Sequence, residues 1–100
     1  MKGRTKESTT EAVPYRDLTI ANQHGMHARP AALFIKTAAR FDAEITIEKD
    51  DTRISGKSIM GLLTMELYQG AKMRVYAEGP DAEEALDALA ELVRNKFDEE

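Results

Sequence analysis

The amino-acid sequence predicts an α+β domain: an open-faced β-sandwich whose four-stranded antiparallel sheet carries three helices on one face, in the order β-α-β-β-α-β-α. Three observations predict it. Four segments alternate apolar and polar residues with period two, so each has one wet face. Three segments instead carry apolar residues at helical spacing. Polar or glycine-bearing turns separate them. Strands that are apolar on one side only must be covered there by helices. The length of 100 residues fits one domain, and no internal repeat appears.

Residues 1–14 have no apolar periodicity and are rich in Lys, Thr, Ser and Glu. They read as a flexible extension with too little apolar surface to offset the entropy of ordering, leaving 15–100 as the domain. The first strand begins near Tyr15, where Leu18 and Ile20 alternate with Asp17, Thr19 and Ala21. Asn22-Gln23-His24-Gly25 then turns the chain. Ala31, Phe34, Ile35, Ala38 and Phe41 set a helical period, placing a helix over Ala28 to Arg40 with Pro30 tolerated in its first turn.

Ala43, Ile45 and Ile47 alternate with Glu44, Thr46 and Glu48 as the second strand, and Lys49-Asp50-Asp51-Thr52 turns it into a short third strand, Arg53-Ile54-Ser55. Ser58 opens a helix bearing Ile59, Leu62, Leu63 and Leu67, with Gly70 as its expected C-terminal stop. Met73, Val75 and Ala77 mark the fourth strand. After Gly79-Pro80-Asp81 the last helix presents Ala85, Leu86, Leu89, Leu92, Val93 and Phe97 as one stripe, with Arg94 and Lys96 in its final turns. Asp81 followed by Glu84 resembles a capping box.

Composition narrows the function classes. Fourteen Lys+Arg against eighteen Asp+Glu give a net charge of −4, which argues against a nucleic-acid binder. The absence of Cys excludes disulfides and thiolate metal sites. The longest apolar run, Ala31 to Ile35, falls far short of the ~20 residues of a membrane helix. The cationic start, Met1 to Lys6, has no apolar stretch behind it and is not a secretory signal. The expectation is a soluble, cytoplasmic domain with no cofactor, a monomer being the simplest state.

The segment that bears chemistry is Gly25-Met26-His27-Ala28-Arg29-Pro30-Ala31. His27 falls at the N-cap of the first helix, with Gly25 allowing the backbone to turn before it. Unpaired amides and the positive end of the helix dipole meet there, a setting that disfavours an imidazolium and favours an anion. A neutral imidazole is a nucleophile, and a phosphoryl group placed on it would be shared by the amides and the Arg29 guanidinium. Two readings of His27 stand on these residues alone: a transient phosphohistidine, or an ordinary cap or surface histidine. His24 and His27 form His-x-x-His, but no third ligand is in sight, so no metal site is expected.

Together with a second segment, Gly56-Lys57-Ser58-Ile59-Met60-Gly61, this stretch resembles the histidine-containing phosphocarrier (HPr) family of the bacterial phosphoenolpyruvate-dependent sugar phosphotransferase system. The resemblance covers residues 15–97, with both motifs in the register the family requires. It implies that His27 accepts phosphate on Nδ1 from enzyme I and passes it to IIA proteins, and that Arg29 steadies the phosphoryl group. It implies that Ser58 is modified by HPr kinase/phosphorylase in lineages that possess that enzyme. A helix start tolerates such a charge, and a cap role for Ser58 is the alternative.

Ile59, Met60 and Leu63 correspond to a docking strip for enzyme I, core packing of at least one being the other reading. His24 stands where relatives more often carry a small polar or apolar residue and is placed to modulate His27. Met65-Glu66-Leu67-Tyr68 is bulkier than the corresponding family segment. The alternatives to a sugar-system carrier are a nitrogen-related or purely regulatory paralogue and a non-phosphorylated interaction module on the same fold.

Overall fold

The computed structural model describes residues 13–99. Its elements are β1 (Tyr15–Thr19), α1 (Ala28–Ala38), β2 (Glu44–Lys49), β3 (Thr52–Ser55), α2 (Ile59–Thr64), β4 (Lys72–Glu78) and α3 (Ala82–Arg94). The strands form one sheet in the order β1-β4-β2-β3, each neighbouring pair antiparallel. The expected α+β architecture is therefore present, with all three helices on one face. The expected extension over 1–14 lies outside the described residues apart from Val13 and Pro14, and the Pro14 carbonyl accepts the Ala77 N–H at 3.1 Å.

The period-two pattern puts Ile45, Ile47, Met73, Val75 and Ala77 on the helix side of the sheet, all buried. Against them pack Phe34 and Ala38 of α1, Leu62 of α2, and Leu86, Leu89 and Val93 of α3, all buried. Each such large side chain contributes roughly 1.5–3 kcal/mol by leaving water. The opposite face is polar and aromatic. Arg74 donates to both Asp17 carboxylate oxygens at 2.7 and 3.1 Å and lies 4.0 Å from the Tyr15 ring centroid. The Tyr76 hydroxyl donates to Glu48 at 2.9 Å. The exposed Arg74–Asp17 pair adds little stability, and with the part-buried Tyr76–Glu48 bond it keeps the open face polar.

Four local expectations are corrected. The second helix does not reach Gly70: α2 ends at Thr64, with Met65 as C-cap. The Thr64 hydroxyl bonds the Met60 carbonyl at 2.9 Å, competing with the ladder in the last turn. Beyond it the backbone finds tertiary partners instead: the Leu67 carbonyl accepts Met26 N–H at 2.8 Å, and Gly70 N–H donates to the Ile20 carbonyl at 2.8 Å. Leu67 is buried as expected, but from a loop.

The last helix does not carry Phe97 on a continuous stripe either. α3 ends at Arg94, and Lys96, Phe97 and Asp98 all have positive φ (57°, 55° and 60°), so the chain doubles back and buries the Phe97 ring in the core. Burial of a large aromatic side chain outweighs continuation of the helix. Finally, Asp81 makes no capping box. Its carboxylate accepts the Asp42 N–H at 2.7 Å, which joins the start of α3 to the chain ahead of β2. α1 also stops at Ala38, two residues before the expected Arg40.

Candidate functional site

The β1–α1 turn is built to hold one imidazole at the head of a helix. Gly25 takes φ +66°, and its N–H donates to the Asn22 carbonyl at 3.2 Å. The Gly25 carbonyl accepts the His27 N–H at 3.0 Å. Met26, buried, is pinned to Leu67 by the backbone bond already described. A Cβ at Gly25 would stand 2.6 Å from the Leu67 carbonyl oxygen, so the turn lies directly on the 65–71 loop.

His27 is the N-cap of α1 in extended conformation, yet its side chain makes no capping bond. The first intrahelical bond runs from Ala31 N–H to the His27 carbonyl at 3.0 Å, so the Ala28 and Arg29 amides precede the ladder and Pro30 has none to offer. No acidic residue occupies this first turn itself. The side chain of His27 is 43% exposed. The cap or surface alternative is thus half met: the position is a cap, but the ring does not act as one.

The ring turns toward the C-terminal end of the described chain. His27 Nε2 lies 2.7 Å from Glu99 Oε2, and the Glu99 side chain is 11% exposed. Glu99 Oε1 accepts from Asn22 Nδ2 at 2.9 Å, and the same amide nitrogen donates to the Gly25 carbonyl at 2.8 Å. Asn22 is fully buried. The Asn22 hydrogen bond above all, then His27 and the nearby Arg29 charge, hold the Glu99 carboxyl below its ordinary range against the cost of burial. Arg29 itself is exposed in the first turn of α1, and its charge reaches Glu99. His24 is exposed, its ring edge-on to His27 with centroids 6.0 Å apart. His24 thus lies beside the His27 ring, and Arg29 stands two residues further on in the first turn of α1.

The second expected site lies at the start of α2. Ser58 is its N-cap, and Oγ accepts the Gly61 N–H at 3.0 Å, so the cap role is realised. Ile59, Met60 and Leu63 are all exposed, Met60 the most at 65%, while Leu62 faces the core. None of the three is core packing. Tyr68 is 68% exposed, with its backbone against Gly25.

In the sequence Asn22 reads only as a turn former, and nothing marks Glu99. For Glu99 no local pattern carries a signal. Only the left-handed turn at residues 96–98 brings it to His27, across 72 positions of chain.

The chain as a whole is similar to known proteins. A family model described as the PTS HPr component phosphorylation site matches residues 15–95. The chain belongs to the HPr phosphocarrier family. It is 42% identical over 85 residues to the phosphocarrier protein HPr of Treponema pallidum, covering 85% of this chain and 97% of that one. It is 44% identical over 84 residues to the phosphocarrier protein NPr of Shewanella violacea, covering 84% and 92%. The crystal structure of an HPr from Thermoanaerobacter tengcongensis superposes with a TM-score of 0.84 at 45% identity, covering 87% of this chain and 98% of that one. The four-stranded antiparallel sheet and its three helices are thus those of the HPr fold. Among the described residues no helix is long and apolar enough to cross a membrane.

Proposed function

We propose that this HPr-family protein works in the cytoplasm as a phosphoryl carrier, accepting phosphate on His27 Nδ1 from enzyme I and handing it to IIA proteins. It is the substrate of a relay, not an enzyme in its own right. The observation that carries this reading is an N-cap imidazole that caps nothing, half-exposed at a helix start whose amides precede the ladder. A phosphoryl group on Nδ1 would meet the helix's positive end and the Arg29 guanidinium, which suits phosphate oxygens. The exposed Ile59, Met60 and Leu63 are the docking strip for enzyme I, and His24 modulates the charge at His27.

Ser58 is the regulatory site for HPr kinase/phosphorylase in hosts that have it. Its phosphate would sit on a helix start, where the fold tolerates it, beside the apolar strip, where it would repel a partner.

The 44% identity to a relative named NPr supports a second reading, in which the acceptor is a regulatory protein and no sugar permease is served. Incubation with enzyme I and labelled phosphoenolpyruvate tests the first step. Acid-labile label is expected on the wild type and none on His27→Ala, with slower labelling of Ser58→Asp. An unlabelled wild type would point to a non-phosphorylated interaction module. A panel of purified IIA proteins then separates the two readings by which of them removes the label.

A further inference from the structure

The Asn22–Glu99–His27 chain has a directional logic. Asn22 is buried, and its amide nitrogen faces two groups that only accept: the Gly25 carbonyl and the Glu99 carboxylate. Turning the amide over would set its oxygen against the Gly25 carbonyl oxygen, so Asn22 is locked as a donor. Among the described residues Asn22 Oδ1 has no partner, which accords with an orientation dictated by the other two contacts. A carboxylate held by Asn22 accepts only, so across the 2.7 Å contact it is His27 Nε2 that carries the proton. In a neutral imidazole the remaining nitrogen, Nδ1, then holds the lone pair.

We infer that Glu99, oriented by Asn22, is a positioning residue that fixes His27 in the Nε2–H tautomer and so presents Nδ1 as the nucleophile. This rests on the proposed role of His27 as phosphoryl acceptor. In the transfer the Nδ1 lone pair forms the N–P bond while the donor's bond to phosphorus breaks, its electron pair leaving with the donor. The Nε2 proton stays, and the positive charge that develops on the ring is met by the Glu99 carboxylate. The carboxylate and the incoming phosphoryl group lie at different nitrogens of the ring, so the one does not occupy the place of the other.

The backbone is shaped for the contact. Three successive non-glycine residues, Lys96, Phe97 and Asp98, adopt left-handed φ immediately before Glu99. Such conformations persist only where surrounding contacts over-determine them. Burial of Phe97 accounts for part of this, and the two bonds of Glu99 anchor the end of the turn.

Glu99→Gln tests the inference more sharply than Glu99→Ala. The glutamine must give its oxygen to the locked Asn22 donor, leaving its NH₂ to face His27. Nε2 then has to accept, and the proton moves to Nδ1, as happens when a carboxamide replaces the carboxylate of a catalytic triad. Glu99→Ala releases the ring without reversing it.

The expected order of labelling rate by enzyme I is wild type, then Glu99→Ala about tenfold slower, then Glu99→Gln slower still. Side-chain ¹⁵N spectra at about pH 8.5, where an ordinary imidazole is neutral, should show His27 protonated on Nε2 in the wild type and on Nδ1 in Glu99→Gln. A merely structural role for Glu99 predicts the opposite rank, because glutamine is the closer isostere. Wild type labelled on His27 with Glu99→Gln equally fast, or with its tautomer unchanged, overturns the inference and leaves the carrier reading intact. A wild type that takes no label overturns the carrier reading and this inference with it.

Discussion

The chain begins two helices in nearly the same way and uses them differently. A glycine stands two residues before each N-cap, Gly25 before His27 and Gly56 before Ser58, and both caps have extended backbone. At α2 the cap side chain turns inward and satisfies its own helix through the Gly61 N–H. At α1 the cap side chain turns away, leaves the first-turn amides to others and pairs with Glu99 near the end of the described chain. One helix start is closed on itself and the other is held open by tertiary structure. A reactive group can therefore stand at a cap position only where some other part of the fold does the positioning.

The largest effect should come from disturbing the scaffold of the open start. Gly25→Ala adds a Cβ 2.6 Å from the Leu67 carbonyl oxygen and 2.9 Å from Tyr68 Cα, at φ +66°. Backbone strain alone costs about 1–3 kcal/mol, and the close atoms are main chain, so the β1–α1 turn must also move. Urea unfolding should show a loss of at least about 2 kcal/mol from strain and displacement together, accompanied by a slower phosphoryl acceptance. Gly56→Ala meets the Ile45 side chain instead, at 2.4 Å from Cγ2, and carries no left-handed strain. Overpacking should destabilise it by about 1–3 kcal/mol with His27 still labelled at near the wild-type rate. Equal loss of labelling in both variants would erase the distinction between the two starts.

A smaller effect separates the caps themselves. Ser58→Ala removes a bond to a helix amide and should lower stability by about 1 kcal/mol. His27→Ala removes no capping bond, only the bond from a half-exposed ring to Glu99, which keeps its Asn22 donor, and should lower stability by about 1 kcal/mol or less. The same substitutions should act in reverse order on phosphorylation, with His27→Ala expected to abolish it and Ser58→Ala to spare it. Urea midpoints at constant denaturant slope give the first comparison, and labelling by enzyme I gives the second.

How far the sequence shows all this follows from the range of each interaction. The strands and the cores of α1 and α3 were legible because a period of two or 3.6 is written in neighbouring residues, as in Ile45 and Ile47 or in Phe34 and Ala38. The end of α2 was not, because Leu67 continues the helical spacing while its carbonyl is taken by Met26, far away in sequence. Phe97 likewise fits the α3 stripe and is buried, yet it reaches the core through a left-handed turn that no periodicity encodes. At the site, the placement of His27 at a helix start with Arg29 two residues on was legible from the turn and the helical period, whereas the residues alone left His27 open between an acceptor and an ordinary cap. Glu99 and Asn22 were not legible, since a carboxylate near a chain end and an asparagine in a turn are common and only their meeting is informative.

The least effect, and a direct probe of the open start, is its response to acid. The Glu99 carboxyl sits below its ordinary value of 4.5 in the folded protein, chiefly because Asn22 donates to its charged form. A group depressed in this way contributes stability above its unfolded value and loses it as pH falls through the folded one. The difference in urea midpoint between wild type and Glu99→Ala should therefore be present at about pH 5 and shrink below 4.5. Asp17, depressed by Arg74, and Glu48, depressed by the Tyr76 hydroxyl, also weaken the protein in acid. Both lie on the open face of the sheet and are shared by the two variants, so they cancel in the difference. At the closed start Ser58 has no charge to lose, and the Ser58→Ala difference should stay level over the same range. A wild-type minus Glu99→Ala difference that is equally level would mean that the carboxylate is not held in its charged form by Asn22, and the two helix starts would differ in shape alone.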